Sequence, residues 1–215
     1  MSFHSWDDFK LLLYQLSQQP KKGKRDAELI SPATYVSGTT RANKNVLAWA
    51  GWAAVDVDDY EFEGELKDDL CMRFGTLNFI CYSTASSTFD KPKFRLIFEL
   101  TRPVEQSEIR HFWYALNSQL KDIGDAQTKD LSRMYYIPAK YSDANNFIFD
   151  NIGTSIDVDV LMAKWPYDRT RDSKSFLDRL PPELQAAVLE HRKTKLNNTS
   201  YTWSCLLYTS DAADE

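Results

Sequence analysis

The chain has few cysteines, no long apolar run and little net charge, and the first two shortages exclude classes of protein. No segment approaches the run of about 18 apolar residues that a membrane-spanning helix needs. Asp7 and Asp8 precede the first apolar residues, where a signal peptide would be basic. The 3 cysteines form neither a CxxC pair nor a ligand spacing, so we expect free, buried thiols and neither a disulfide framework nor a zinc site. These absences predict a cytoplasmic protein without a membrane anchor.

The formal charge of −5 depends on a carboxy-terminal segment that fits nothing upstream. Residues 205–215, CLLYTSDAADE, match the translated read-through of a transposase-type sequencing adapter, and we interpret them as non-native. A disordered acidic tail is the alternative. Without Asp211, Asp214 and Glu215 the charge is −2, which says little about partners because a nearly neutral protein can still carry a basic groove. We therefore expect the natural sequence to depart from this one near Ser204 and to continue beyond it.

Apolar periodicity predicts an α/β or α+β fold, with a mixed sheet and helices packed on its faces. Helices are predicted at 6–16, 64–74, 105–121 and within 156–165, and strands at 33–38, 52–57, 77–83, 93–100, 133–138 and 145–150. The apolar content of 43% in 215 residues suffices for one core, which we place in residues 1–165. Residues 166–204 are polar and carry no strand pattern. They are predicted to be a helical linker or the start of a truncated further module.

Two aspartates emerge together at the end of the strand WAAVDV, residues 52–57. Side chains alternate between the faces of a strand, so Asp56 and Asp58 share a face with Trp52 and Ala54. Two like charges so close repel each other, and a divalent cation offers a physical reason for the pair. Ligation by oxygen alone suits Mg²⁺ or Mn²⁺, which connect carboxylates to substrate phosphates. A DxD sequence after a strand is also typical of an ordinary loop start, and that alternative stays open.

Residues with complementary chemistry lie at the ends of other predicted strands. Asp125 precedes the strand at 133–138 and is the candidate third carboxylate, although Asp130 competes with it and either residue suits a turn or a helix cap. The candidates for holding a triphosphate are Ser86, Ser87, Lys93, Arg95 and Arg133. Acids, hydroxyl groups and cations in one place are what metal-assisted nucleotidyl transfer requires. For Lys93 and Arg95, a position on a solvated sheet edge is the alternative.

Three other groups of residues receive structural interpretations. The loop with Lys21, Lys22, Lys24 and Arg25 is interpreted as a solvated surface loop, with contact to a nucleic-acid backbone as the alternative. Tyr135 and Tyr136 are assigned to packing rather than to base stacking. Asp157 and Asp159 stand at the start of the last helix, where carboxylates suit the helix dipole, and are assigned to capping.

Three motifs follow one another between about residues 35 and 160: AAVDVDD, YSTASSTFDKPKFRLIFELTRPV and GDAQTKDLSRMYYIP. Their order resembles the catalytic core of the archaeo-eukaryotic primase superfamily, in particular the primase-polymerases of phages and plasmids. The resemblance implies an RRM-like catalytic core in which Asp56, Asp58 and Asp125 hold the metal ions. The second motif departs from the pattern, because related versions place a histidine where this chain has Ser87. The histidines of this chain are His4, His111 and His191.

The resemblance further implies a DNA primase-polymerase domain from a replication protein of a phage or other mobile element, located in the host cytoplasm. Such a domain condenses NTPs or dNTPs on a single-stranded DNA template with Mg²⁺ or Mn²⁺. It would act with a replicative helicase module, fused downstream or separate. Two alternatives remain open at this point: a non-catalytic relative that binds DNA during replication initiation, and a metal-dependent nuclease that uses the same acids.

Overall fold

Four α-helices and eleven strands are defined over residues 5–168, the part of the chain that this computed structural model describes. The helices are α1 (Trp6–Ser17), α2 (Leu66–Phe74), α3 (Ile109–Gln119) and α4 (Val158–Lys164). The strands are β1 (Pro20–Lys21), β2 (Leu29–Ile30), β3 (Ala33–Tyr35), β4 (Val46–Trp49), β5 (Trp52–Val57), β6 (Phe79–Ser83), β7 (Phe94–Glu99), β8 (Val104–Glu105), β9 (Tyr135–Tyr136), β10 (Lys140–Tyr141) and β11 (Ile148–Asn151). The predictions for a helical segment up to residue 204 and for a non-native tail concern residues outside this range.

A four-stranded antiparallel sheet in the order β11-β6-β7-β5 forms the centre of the fold. Strands β6 and β7 lie in the middle and are buried along nearly their whole length, which explains their continuous apolar sequences. Strand β5, which leads to the aspartates, lies at one edge. Parallel pairing occurs between the short strands β1 and β10. The predicted α+β class, with helices flanking a sheet, is confirmed.

The two faces of the central sheet pack against different helices. On one face, residues Ala53, Val55 and Val57 of β5 join a core that contains apolar side chains of α2, α3 and α4. On the opposite face, Trp52 and Ala54 pack with Phe9 and Leu13 of α1 and with Tyr135, Ile80, Tyr82 and Ile97. This division is the alternation predicted for residues 52–57. It places Asp56 on the face of the sheet that packs against α1, outside the apolar cluster of that face.

The helix predicted at 105–121 is shorter at both ends for identifiable reasons. Val104 pairs with Trp49 of β4, so the backbone is extended up to Glu105 and α3 begins only at Ile109. At the other end, Lys121 and Asp122 have φ values of 59° and 61°, a left-handed conformation that stops a right-handed helix. Among the described residues no helix is both long and apolar enough to cross a membrane.

The acids of the last helix and the cysteines follow the predictions only in part. The Asp157 carboxylate accepts the Val160 N–H at 3.0 Å and caps α4, as predicted. Asp159, in the first turn, instead pairs with Arg102 at 2.6 Å. Cys81 is a fully buried free thiol whose pKa is raised by burial, whereas Cys71 is partly exposed.

Candidate functional site

Asp56 faces a positive charge that lies directly opposite on the neighbouring strand. In the register of β5 and β7, Asp56 is paired with Arg95, and Arg95 is in turn paired with Tyr82 of β6. The Arg95 Nε donates a hydrogen bond of 2.6 Å to Asp56 Oδ1, and Nη2 contacts the same oxygen. The sheet register therefore builds an ion pair across β5 and β7, and it forms because the two side chains occupy the same face.

Arg95 is buried between aromatic rings and is 6% exposed. Its guanidinium carbon lies 4.6 Å from the ring centre of Tyr135 and 5.4 Å from that of Tyr82. The Nη1 group donates to the Tyr82 hydroxyl and to the Tyr136 carbonyl at 2.9 and 2.7 Å. Burial raises the pKa of the Tyr82 and Tyr135 hydroxyl groups, so both remain neutral. The Tyr135 hydroxyl donates to the Ala54 carbonyl.

Arg95 was predicted to bind the triphosphate, and these contacts leave it little capacity to do so. An arginine has five N–H groups, and the partners on Asp56, Tyr82 and Tyr136 leave at most one of them, on Nη2, for a ligand. The alternative of a solvated sheet edge does not describe it either, because the side chain is buried. Arg95 connects β5, β6, β7 and β9, so its first role is to hold this end of the sheet together.

Asp58 is the most accessible of the acids, since 55% of its side chain is exposed. It follows the last residue of β5 and lies on the same face as Asp56 by strand alternation. Its Oδ1 atom lies 3.4 Å from Lys93 Nζ, an exposed pair of the kind that contributes about 0–1 kcal/mol. The Asp58 carboxylate can therefore exchange its lysine partner for a ligand at little cost.

Asp125 is brought beside Asp56 by the backbone of the segment before the Ala126–Thr128 3-10 helix. The Asp125 N–H donates to the Asp56 carbonyl at 2.9 Å, at the open edge of β5. The Asp125 carboxylate accepts the Gln127 N–H at 2.9 Å and caps the 3-10 helix. The predicted alternatives for this residue, site acid and cap, are therefore both compatible with its position.

Gly124 allows this close approach to β5. A Cβ atom at Gly124 would lie 2.5 Å from Val55 Cγ1 and 2.5 Å from Asn117 Oδ1. The Asn117 side chain also accepts the Gly124 N–H at 2.8 Å, so it cannot turn away without losing that bond. Any larger residue must therefore displace the Val55 or Asn117 side chain or move the Asp125 segment away from the strand edge.

We expect Gly124→Ala to lower the free energy of unfolding by about 1–3 kcal/mol, the usual cost of overpacking. Gly23→Ala is the matched control, because a Cβ atom at Gly23 meets nothing within 4 Å and its φ is extended. Urea unfolding followed by circular dichroism measures both variants. Equal midpoints for the two variants would contradict the close approach at Gly124.

The acids and several of the predicted phosphate ligands converge on one pocket of about 180 Å³. Six of the eight predicted site residues line it: Asp56, Asp58, Ser86, Arg95, Asp125 and Arg133. They come from β5, from the loop after β6, from β7 and from the segment before β9. The competitor Asp130 pairs instead with Arg133, at 3.4 Å. The structure thus brings together residues that are up to 77 positions apart in the sequence, between Asp56 and Arg133.

Ser87 and Lys93 have other neighbours. Ser87 is 1% exposed, and its Oγ accepts the Lys93 N–H at 3.1 Å. Its carbonyl accepts the Asn145 N–H at 2.8 Å. These bonds make Ser87 the anchor of the loop between β6 and β7, and a buried hydroxyl in this position is not presented to a phosphate. The Lys93 side chain interacts with Asp58 at the rim.

The similarity of this chain to known proteins agrees with its motifs. Residues 24–176 match the family model described as the VapE N-terminal domain, which is more than half of the chain. The chain belongs to the VapE N-terminal domain family. This match confirms the relationship to archaeo-eukaryotic primase-polymerases that the three motifs predicted. The match does not test catalytic activity.

Other comparisons give little more about this VapE-type domain. Among solved structures, the AEP domain of the cyanophage S-2L primase-polymerase superposes with a TM-score of 0.43 at 13% sequence identity. The superposition covers 62% of this chain and 69% of that chain. No curated protein matches the sequence.

The pocket of this VapE-type domain also contains residues that sequence reasoning assigned elsewhere. Lys24, from the basic loop interpreted as solvated, lies on the pocket wall, and so does Tyr136, which is 36% exposed. The four basic residues in that loop were the available signal for Lys24. Thr128 also lines the wall, but its hydroxyl donates to the Asp125 carbonyl at 2.6 Å. Arg133 Nε is buried and has no hydrogen-bond partner within the described structure.

The donor set of this pocket fits a hard divalent cation, on one condition. Its acids and hydroxyl groups supply only oxygen, which Mg²⁺ and Mn²⁺ prefer. Over residues 5–168, however, no three acidic, histidine or cysteine side chains lie close enough together to hold an ion by themselves. Mg²⁺ often binds through one or two carboxylates and takes its other ligands from water and substrate phosphates. A cation at Asp58, with Asp56 and Asp125 nearby, would therefore take its other ligands from water and from the oxygens of a bound triphosphate.

Proposed function

We propose that this domain is the primase-polymerase module of a phage or mobile-element replication protein. It joins nucleoside triphosphates on a single-stranded DNA template, with Mg²⁺ or Mn²⁺. The observation that carries this proposal is the convergence of Asp56, Asp58 and Asp125, from two separate motifs, on one pocket with cationic and hydroxyl side chains. A replicative helicase module, fused downstream or separate, belongs to the same proposal.

The cationic side of the pocket suits a triphosphate. Lys24 and Arg133 line the wall together with the hydroxyl-bearing residues Thr84 and Ser86. Arg133 is suited to phosphate because its planar guanidinium offers several N–H donors, and its Nε has no partner within the described structure. Lys24 supplies a mobile point charge. These groups would hold the phosphates, whereas Arg95 would contribute mainly by fixing the wall.

The acidic side of the pocket suits the reacting end of the nucleotide. When bound, the metal ion supplies charge neutralisation on the triphosphate and lowers the pKa of the attacking hydroxyl. Asp58 is the accessible carboxylate for this ion. Asp125 is held beside Asp56 by the bond of its N–H to the Asp56 carbonyl and lines the same pocket. Asp56 gives one oxygen to Arg95, so its share in metal binding is expected to be the smallest.

A second candidate function is single-stranded DNA binding without catalysis. Two observations favour it: the second motif has no histidine, with Ser87 buried in its place, and Asp56 already has a buried counter-ion in Arg95. Three carboxylates facing a phosphate backbone would weaken DNA binding unless a cation compensated their charge. The retained acids therefore favour the catalytic candidate.

Synthesis on labelled single-stranded DNA distinguishes the candidates. The 215-residue chain is incubated with a primed and an unprimed template, all four dNTPs or NTPs, and Mn²⁺ or Mg²⁺ or neither. The proposal expects longer products only with a metal ion and nucleotides. Shortened DNA would instead identify a metal-dependent nuclease. Unchanged DNA together with measurable binding would identify the non-catalytic candidate and overturn the proposal for this chain.

A further inference from the structure

A phenylalanine stands exposed on the loop that forms part of the pocket wall. Phe89 exposes 84% of its surface, in the segment between β6 and β7. The same loop begins with Thr84, Ala85 and Ser86, which line the pocket. Burying a phenylalanine side chain typically contributes about 1.5–3 kcal/mol to folding, and Phe89 forgoes most of that contribution. Single exposed apolar residues are common on proteins, so exposure alone assigns no role.

The position of Phe89 is fixed by hydrogen bonds on both sides of it. The Thr88 N–H donates to the Lys91 carbonyl at 3.2 Å, and the Lys91 N–H donates to Thr88 Oγ1 at 3.0 Å. These two bonds close a four-residue turn with Phe89 at its tip. The base of the loop is closed by the Thr84 N–H, which donates to the Lys93 carbonyl at 2.9 Å, and by buried Ser87. The ring is therefore held out from the surface by an ordered loop.

An exposed aromatic ring on an ordered loop is suited to stacking on a nucleic-acid base. Proteins that bind single strands combine cationic groups for the phosphates with aromatic side chains for the bases, and each stacked base contributes about 1–3 kcal/mol. Here the cationic groups Lys24 and Arg133 lie on the pocket wall to which the loop of Phe89 belongs. Preorganisation matters because a loop whose backbone is already held by hydrogen bonds loses little conformational entropy on binding.

We propose that Phe89 is a stacking platform for an unpaired base of the single-stranded DNA that enters beside the pocket. This inference rests on the proposed function in one respect, the choice of a single strand as the partner. It requires no metal ion and no chemical step, because the ring contacts a base outside the pocket. Duplex DNA has its bases stacked on each other and offers no such face at the same site.

The test measures binding of the 215-residue chain to a fluorescein-labelled oligothymidylate by anisotropy, without nucleotides or metal ions. Phe89→Ala is compared with Met72→Ala, a truncation on α2 at a residue that is 82% exposed. We expect Phe89→Ala to weaken binding by about 5- to 150-fold, which corresponds to one lost stack, and Met72→Ala to leave it unchanged. Phe89→Trp should bind as tightly as the parent or more tightly, because it keeps an aromatic face.

Equal binding by Phe89→Ala and Met72→Ala would overturn the inference, and so would a parent chain that binds no oligothymidylate. A change in oligomer size on gel filtration of Phe89→Ala, with unchanged DNA binding, would identify a protein-protein contact instead. The slope of the logarithm of the binding constant against the logarithm of salt concentration should stay the same for Phe89→Ala, because no phosphate contact is lost. Failure of the proposed synthesis leaves this comparison intact, since it is made without nucleotides and metal.

Discussion

Replacing Arg95 with methionine is expected to lower the free energy of unfolding by about 3–5 kcal/mol, the cost of removing one partner from a buried ion pair. The variant leaves the Asp56 carboxylate, 14% exposed, without its counter-ion. It also removes the donors to the Tyr82 hydroxyl and the Tyr136 carbonyl. A loss of this size is a large fraction of the stability of an ordinary domain, about 5–15 kcal/mol.

Urea unfolding at neutral pH measures this loss, with Arg102→Met as the matched control. Arg102 also binds two carboxylates, those of Glu108 and Asp159, but its side chain is 31% exposed. Each exposed pair contributes about 0–1 kcal/mol, so the control, which loses two pairs, should lose about 2 kcal/mol or less. Similar losses for the two variants would show that burial of Arg95 does not decide its contribution.

A double-mutant cycle then separates the ion pair from the other bonds of Arg95. The double variant Asp56→Ala, Arg95→Met removes both charges, so it should be more stable than the sum of the two single losses predicts. Strict additivity would contradict a coupled pair. The cycle also shows why Asp56→Ala alone is a poor test of catalysis: lost activity would follow from destabilisation as readily as from a missing metal ligand.

The sequence was sufficient for the parts of the site that depend on strand alternation and motif order. Residues 52–57 alternate as predicted, which places Asp56 on the face opposite Val55 and Val57. The candidate Asp58 was found from the acidic pair at the end of the strand, and Asp125 from its place in the third motif. The order of motifs indicated the family, although the three segments are brought together only by the tertiary fold.

Sequence reasoning failed where a role depends on which partner lies across the sheet. Nothing in FRLIFE shows that Arg95 is opposite Asp56, because the pairing of β5 with β7 follows from the register of non-consecutive strands. Lys24 was assigned to a solvated loop because its contact with the pocket spans distant segments of the chain. Ser87 differs from Ser86 only in its burial, and two adjacent serines in a loop give no pattern that distinguishes them.

Asp58→Asn provides the test of catalysis that Asp56 cannot provide. We expect the rate of nucleotide incorporation to fall by about 100-fold or more, because the substitution keeps the shape of the side chain and removes the accessible charge that would hold the metal ion. Asp58 is 55% exposed with a rim lysine as its partner, so the free energy of unfolding should change by about 0.5 kcal/mol or less. Initial rates of labelled dNTP incorporation, with unfolding midpoints of the same samples, measure both quantities.

The neighbouring Asp59→Asn is the matched control. Asp59 carries the same charge one residue further along, is 87% exposed and pairs with Lys91. It lies outside the pocket lining, so incorporation should stay at the parent rate. Incorporation by Asp58→Asn at the rate of Asp59→Asn would contradict a metal ion held at Asp58.

Two further readouts separate a metal ligand from a residue that only shapes the pocket. If Asp58 holds the ion, Asp58→Asn should need a higher Mn²⁺ concentration for half-maximal incorporation, because one charged ligand is missing. Affinity for single-stranded DNA should stay the same or rise, since a negative charge facing the phosphates has been removed. A lower rate with an unchanged Mn²⁺ requirement and weaker DNA binding would assign Asp58 to the DNA-binding surface. The direction of these two changes, rather than the loss of rate alone, therefore decides whether the aspartates after β5 serve catalysis.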